Sequence, residues 1–117
     1  MLDISTTHPV TACADFAMKW LDQVAQYNLQ AAESLVDVNE SGISFAECLP
    51  QPDGFTYCPI DQIKNWSMHI VAADEDGLSC DFELPFLEEE FRAMYARFDM
   101  TRSGNSLVVK FLGIVPS

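Results

Sequence analysis

The sequence is poor in positive charge. Six lysine and arginine residues stand against eighteen aspartate and glutamate residues, which gives a formal net charge of −12. Seven acidic and no basic residues lie between Lys19 and Lys64, and eight acidic and no basic residues lie between Lys64 and Arg92. Such uncompensated negative charge repels nucleic acids and anionic membranes, and it steers association with a basic partner. Acidity that serves only solubility is the alternative.

Long hydrophobic runs are absent as well. No segment approaches the roughly 18 to 20 continuous apolar residues of a membrane-spanning helix. The first ten residues lack the basic segment and apolar stretch of a secretory signal. We therefore expect an unprocessed, soluble, cytoplasmic protein without membrane association. The chain has 117 residues, of which 49% are hydrophobic, and this predicts a single α+β domain over residues 1–117 with a core of its own.

Motifs of several enzyme classes are missing. The sequence contains no GxxxxGK[ST], GxGxxG, GxSxG or HExxH, so it gives no support to nucleotide-dependent chemistry, acyl hydrolysis or zinc proteolysis. The four cysteines have no spacing suited to zinc, and the turn 74–77 lacks the ligand series of a calcium loop. We expect neither a metal nor a cofactor. Cys13 and Cys80 fall on predicted core faces as free thiols, whereas a disulfide between Cys48 and Cys58 would require export.

An amphipathic helix is predicted near the N-terminus, after a short arm at residues 1–7. Pro9 suits the first helical position, with Thr7 or His8 near the cap. The pattern breaks near Tyr27, and Asn28 is a good N-cap for a second, shorter helix. One long helix is the alternative. The apolar stripe of the first helix consists of Val10, Cys13, Phe16, Ala17, Trp20, Leu21 and Val24.

Residues 37–65 form the least regular part of the sequence. Proline and glycine punctuate it, yet it holds too many apolar residues for a disordered linker. We expect an ordered arm with a helical turn near residues 44–49 and a short strand at 55–58. The arm is either a binding lid over one end of a sheet or a packing cover.

Residues 66–115 predict an antiparallel sheet of about four strands. Apolar residues fall on every second position in the runs 66–72, 78–84, 94–100 and 107–111, which is typical of a meander with one buried face. If the even-numbered residues of the two middle strands face the core, Asp81 lies near Arg97.

Turn residues predict the register of the two hairpins. The turn 74–77 suits a three-residue loop with a left-handed glycine, which pairs Ile70 with Phe82 and His69 with Glu83. Ser103-Gly104 suits a two-residue loop, which pairs Phe98 with Val109.

The other face of the predicted sheet is polar. His69, Glu83 and Tyr95 are expected to form one cross-strand row, in which a carboxylate-oriented histidine beside a phenol could act as general acid and base. Cross-strand polar pairs are also ordinary on a solvated sheet face, and we favour that interpretation. The polar face comprises His69, Asp81, Glu83, Tyr95, Arg97, Asp99 and Lys110.

The order of elements resembles the cystatin-like, nuclear-transport-factor-like cone. The match consists of an amphipathic helix ending at residues 22–27, a short helix at 28–33, and then long antiparallel strands. The segment 84–92, Leu-Pro-Phe-Leu-Glu-Glu-Glu-Phe-Arg, is similar to segments of small bacterial proteins of that type, some of them suspected immunity proteins. The resemblance implies an N-terminal helix, or helix pair, on one face of a curved antiparallel meander.

The resemblance also implies where an enzyme of this kind would hold its catalytic group. Ketosteroid isomerases and polyketide cyclases place a carboxylate or histidine inside the cone, where an apolar wall tunes its pKa. In this sequence the helix-facing side is predicted to be almost entirely apolar. That departure counts against catalysis, and no catalytic residue is assigned.

The leading hypothesis is a non-enzymatic, acidic binding protein, most concretely an immunity protein that occludes a basic, nuclease-type bacterial toxin. An acidic mimic of nucleic acid that blocks a DNA- or RNA-binding effector is a close alternative, and a homo-oligomer is compatible with both. The candidate partner-binding residues are Glu47, Asp53, Asp74, Glu75, Asp76, Glu88, Glu89 and Glu90.

A hypothesis of another class is a small-ligand binder, or an isomerase-like or cyclase-like protein. Its apolar cavity would be lined by Met68, Met94, Phe98 and Trp20. An enclosed cavity with a buried acid or base would favour this hypothesis. A filled core and a continuous acidic surface would favour the inhibitor.

Overall fold

The structure is a computed structural model that describes residues 1–49, 68–84 and 94–116. It has an α+β fold in which helices near the N-terminus accompany a curled antiparallel sheet. The described elements are β1 (Leu2–Asp3), α1 (Pro9–Ala25), α2 (Leu29–Ser34), β2 (Val38–Asn39), α3 (Phe45–Cys48), β3 (Met68–Asp74), β4 (Gly77–Glu83), β5 (Met94–Ser103) and β6 (Ser106–Pro116).

The two predicted helices and the break between them are confirmed. Pro9 begins α1, and the His8 side chain caps it by accepting a hydrogen bond at Nδ1 from the Val10 N–H at 3.2 Å. Tyr27 then adopts a left-handed conformation with φ of 53°, which ends the helix. Asn28 caps α2 through its side-chain oxygen. The predicted turn of helix near residues 44–49 is α3, whereas the predicted strand at 55–58 lies outside the described residues.

The described part of the sheet contains six strands, in the order β1-β6-β5-β4-β3, with β2 also paired to β6. The four long strands are the predicted meander. Together the strands curl into a half-barrel, consistent with a cone-like fold. None of the described helices is long and apolar enough to cross a membrane.

The outer edge of β6 is covered by chain that the sequence predicted as irregular. The predicted arm at residues 1–7 contains β1, in which Leu2 pairs with Leu107. Asp37 continues this cover: its N–H donates to the Val109 carbonyl at 3.0 Å, and its Oδ2 accepts from the Val109 N–H at 2.8 Å. The Met1 amino group lies 2.8 Å from Oδ1 of the same carboxylate. β2 then runs parallel to β6 beyond Val109.

The hairpin of β3 and β4 has a different register from the predicted one. Asp74 pairs with Gly77, so the loop contains two residues instead of three. Gly77 has a φ of 149°, and a Cβ there would collide with the backbone carbonyl oxygen of Met100 on β5. Glycine is therefore required by the close approach of a neighbouring strand, and the loop does not use it as a left-handed residue.

This shorter loop moves the partner of Ala72 by one residue, and together with a bulge at Val71 it moves the partners of the residues before the bulge by two. Ile70 pairs with Cys80 instead of Phe82, and His69 pairs with Asp81 instead of Glu83. A shift of two residues keeps each side chain on its face, because the side-chain period of a strand is two. For the residues of β3 before the bulge, the predicted side of the sheet is therefore correct although the predicted register is wrong.

The hairpin of β5 and β6 was also predicted two residues out of register. Ser103 pairs with Ser106, so the loop is Gly104-Asn105, and Phe98 pairs with Phe111 instead of Val109. Between β4 and β5 the predicted register is confirmed, since Asp81 pairs with Arg97.

The core lies between α1 and the sheet and is rich in aromatic rings. Trp20 packs edge-on to Phe98 with ring centroids 5.1 Å apart, and Phe45 of α3 packs edge-on to Phe111 at 4.7 Å. β4 buries every second residue, as predicted. The prediction is wrong for β3, where Ile70 is exposed, because this strand lies at the end of the sheet order and pairs in the described part of the chain with β4 alone.

Candidate functional site

A shallow groove lies beside the turn between β3 and β4, with a volume of about 220 Å³. Three of its lining residues are carboxylates, Asp74, Asp76 and Asp99, and none is basic. We call this the acidic groove. Its lining consists of Ala72, Ala73, Asp74, Asp76, Gly77, Leu78, Ser79, Asp99, Met100 and Thr101.

Local hydrogen bonds hold two of the three carboxylates of the acidic groove, those of Asp74 and Asp99, and tie the turn to β5. Asp74 Oδ1 accepts from the Asp76 N–H at 2.8 Å, which fixes the turn. The Asp76 carbonyl accepts from the Arg102 N–H at 2.6 Å and so ties the turn to β5. Asp99 Oδ1 accepts from the Ser79 hydroxyl of the facing strand at 3.0 Å. The Asp74 and Asp99 carboxylates are therefore ordered by a backbone donor and a hydroxyl donor, and these donors are neutral.

The geometry of the acidic groove suits a basic side chain better than a metal ion. Within residues 1–49, 68–84 and 94–116, no three histidine, cysteine or acidic side chains lie close enough together to hold a metal. A guanidinium or ammonium group can instead donate hydrogen bonds to more than one carboxylate, and such charge-assisted bonds are the strong ones.

The structure adds one residue to the predicted partner-binding set. Asp99 was predicted on the polar sheet face, but its position beside Ser79 brings it to the acidic groove with Asp74 and Asp76. This position of Asp99 could have been predicted from the sequence, because the correctly predicted register between β4 and β5 places residue 99 next to the turn. Glu75 is exposed at the same turn.

Among the remaining predicted partner-binding residues, Glu47 is the one that the structure describes, and it does not line this groove. Glu47 is exposed on α3, which packs through Phe45 against Phe111 of β6. In the sheet, β5 and β4 separate β6 from β3. Asp53 and Glu88–Glu90 lie outside the described residues.

The polar sheet face contains an ion pair in place of the predicted acid–base row. Arg97 donates from Nε to Asp81 Oδ1 at 3.0 Å and from Nη2 to Oδ2 at 3.2 Å. The hydrogen bonds and the charge of Asp81 raise the pKa of Arg97. Asp81 thus occupies the position next to His69 where Glu83 was expected.

Two members of the predicted row remain neighbours. Glu83 pairs with Tyr95 across β4 and β5. The rings of His69 and Tyr95 have centroids 5.6 Å apart, on a diagonal between adjacent rows. All of these side chains lie on the face of the sheet opposite the core.

The helix-facing side was the candidate site for a ligand cavity. Trp20 and Phe98 are fully buried there and contact each other. Met68 and Met94 are half-buried residues that pack against the core from its margin. No charged or polar residue of the described ranges is buried. The indole N–H of Trp20 is buried without a hydrogen-bond acceptor among these residues, and aromatic rings surround it.

The fold and the acidic groove define a small α+β protein with a half-barrel sheet and an anionic turn at its edge. Comparison of the chain with protein-family models, with curated proteins and with solved structures finds no match.

Proposed function

We propose that this protein is a non-enzymatic, acidic inhibitor that occludes a basic protein, most concretely an immunity protein that neutralises a nuclease-type toxin in the bacterial cytoplasm. The acidic groove supports this proposal most directly. It combines three carboxylates, two of them held by hydrogen bonds, with an excess of negative charge over the whole chain. A nuclease presents basic side chains where it binds phosphates, and these are the groups that such a groove accepts.

Association would proceed in two stages. The net charge of −12 attracts a basic surface over a distance of roughly one Debye length, which is about 8 Å at physiological salt. Arg or Lys side chains of the toxin then enter the acidic groove and displace its water. Charges at the rim of an interface act mainly on the association rate and on its salt dependence. Binding should therefore weaken steeply as salt rises.

The first experiment is a pull-down from the native host at low and then at high salt, with the full chain as bait. A basic protein should be recovered at low salt and released as salt rises. Addition of the bait should then inhibit the nuclease activity of the recovered protein. If no basic protein is recovered at low salt, the proposal fails.

The second experiment tests the acidic groove itself. A triple variant, Asp74→Asn, Asp76→Asn and Asp99→Asn, removes the groove charges and keeps side-chain oxygens as acceptors. The control triple, Asp15→Asn, Asp22→Asn and Glu33→Gln, removes the same charge from α1 and α2. The groove triple should lower the association rate with the recovered partner several-fold more than the control triple. Equal effects of the two triple variants on the association rate would show that the groove contributes only to the net charge and is not a specific binding site.

A further inference from the structure

Two cysteine thiols meet in the core between α1 and β4. The Sγ atoms of Cys13 and Cys80 are 3.5 Å apart, and both residues are fully buried. The Met68 sulfur lies 4.0 Å from Cys13 Sγ, so three sulfur atoms adjoin at the junction of the helix with two strands. Both cysteines are free in this structure.

The geometry of this pair is close to that of a disulfide. A disulfide bond brings the two sulfurs to about 2.05 Å, so the pair must close by about 1.5 Å. Rotation of the two side chains about χ1 can supply movement of this kind.

We propose that Cys13 and Cys80 are a disulfide-forming pair that links α1 to β4 when the chain folds in the presence of a small-molecule disulfide. The Cys13 thiolate attacks one sulfur of that disulfide, forms a mixed disulfide and releases one thiolate of the small molecule. The Cys80 thiolate then attacks Cys13 Sγ, the second small-molecule thiolate leaves, and the Cys13–Cys80 bond is complete. The protein loses two electrons and two protons, and the small-molecule disulfide is reduced to two thiols.

The complete burial of both residues determines when the reaction occurs. In the native core the thiols are closed to reagents, and buried thiols are inert. During folding the core is still open, so exchange takes place as α1 docks on the sheet. The native fold then protects the bond from reductants.

Formation of the Cys13–Cys80 bond would be evidence of native folding, because loop-closure entropy in the unfolded chain favours a different cysteine pair. Cys13 and Cys80 are 67 positions apart, whereas Cys48 and Cys58 are 10 apart. From loop-closure entropy alone, the unfolded chain should form the short pair roughly 17-fold more often than the long one. Native folding should reverse this preference.

The experiment is refolding of the full chain in a mixture of reduced and oxidised glutathione, with and without concentrated urea. Free thiols are then trapped by alkylation, and disulfide-linked peptides are mapped by mass spectrometry. Without urea, the peptide containing Cys13 should be linked to the peptide containing Cys80. In urea, the Cys48–Cys58 pair should predominate. A melting temperature higher by on the order of 10 °C than that of the reduced protein should accompany the native bond and be absent from protein refolded in reductant throughout.

Matched variants separate the bond from general effects of oxidation. The double variant Cys48→Ser and Cys58→Ser should keep the bond and the rise in melting temperature. Cys13→Ala and Cys80→Ala should each lose both, and if these core variants fail to fold, the peptide map of the unaltered chain decides. Native refolding that yields Cys48–Cys58, or that leaves Cys13 and Cys80 as free thiols, would overturn the proposal.

Discussion

The two edges of the sheet are finished in different ways. At one edge, β1, the Asp37 carboxylate and β2 cover β6 in succession and satisfy its outward backbone groups. At the other edge, β3 pairs in the described part of the chain with β4 alone, and Val71 is 62% exposed. Native proteins blunt a remaining edge with a bulge or with charge, and β3 has both: the bulge at Val71 and the acidic turn that follows it.

This difference indicates a division of roles between the edges. The covered edge connects the N-terminal segments to the sheet and serves stability. The edge at β3 contributes little to the core and lies beside the acidic groove. Substitutions at the covered edge should therefore affect unfolding, and substitutions at β3 should affect association.

The largest loss of stability should follow Phe111→Ala on β6. Phe111 is fully buried and packs against Phe45 and Phe98, so its removal leaves a large cavity. We expect a loss of about 3 to 5 kcal/mol in the free energy of unfolding, measured with urea. The control is Leu112→Ala, at the exposed bulge residue next to it, which should cost less than about 1 kcal/mol. Similar losses for both would contradict the assignment of the core face.

Gly77→Ala should have the next largest effect, because Gly77 lies directly against the backbone of β5. The φ of 149° and the approach of Met100 leave no room for a methyl group. We expect a loss of about 2 to 3 kcal/mol by thermal or urea unfolding. Gly104→Ala is the control in the other hairpin, where the space is open and only the left-handed φ of 60° is unfavourable, at about 1 to 2 kcal/mol.

Asp37→Ala should open the covered edge of β6. The Val109 N–H then loses its acceptor, and the expected loss is about 1 to 2 kcal/mol. Glu40→Ala is the control, because the carboxylate of Glu40 only approaches Lys110 at 3.9 Å on the surface, which is worth less than about 1 kcal/mol. Equal losses in urea unfolding would show that the Asp37 carboxylate does not hold this edge.

The same carboxylate should make the covered edge sensitive to acid. Burial raises the pKa of Asp37, but hydrogen bonds from the Met1 amino group and the Val109 N–H lower it more, so the net pKa lies below its ordinary value of 3.8. A depressed folded-state pKa means that the contribution is present above that ordinary value and is lost as pH falls through the folded pKa. The stability gap between the unaltered chain and Asp37→Asn should therefore narrow in this acidic window, as measured by urea unfolding. A difference in unfolding free energy that stays constant across this pH window would contradict the role of the Asp37 carboxylate.

The smallest effect should be that of Val71→Ala on β3. The side chain is mostly exposed at the bulge, so we expect a change within about 0.5 kcal/mol by urea unfolding. Val109→Ala is the matched control on β6, where the same two methyl groups are fully buried and should contribute about 2 kcal/mol. A large loss at Val71 would remove the contrast between the two edges.

Local patterns predicted much of this fold. Pro9 and Asn28 identified the helix starts, and the alternation in β4 identified its buried face. The register of the hairpins was less accessible, because Gly77 and Gly104 each suit more than one loop. The contact that decides the role of Gly77 comes from Met100 on another strand, and no local pattern contains it.

The two short strands were missed for a related reason. Leu2 and Val38 pair with a strand that lies far along the chain, and segments of two residues have no period to detect. For the candidate site, the sequence identified Asp74 and Asp76 as exposed turn residues. Asp99 joined them only through the pairing of β4 with β5.

The strands that pair with β6 also differ in how early they can do so during synthesis of the chain. β1 pairs with residues more than a hundred positions later, whereas β4, β5 and β6 are joined by nearer contacts. Contacts distant in sequence form late, since their loop entropy must first be offset by others. On the ribosome, α1 emerges before β3 to β6 and has no sheet to dock on until these strands leave the tunnel. The nascent helix, with Trp20 and its apolar stripe uncovered, is thus the segment for which a chaperone would have the longest opportunity to bind.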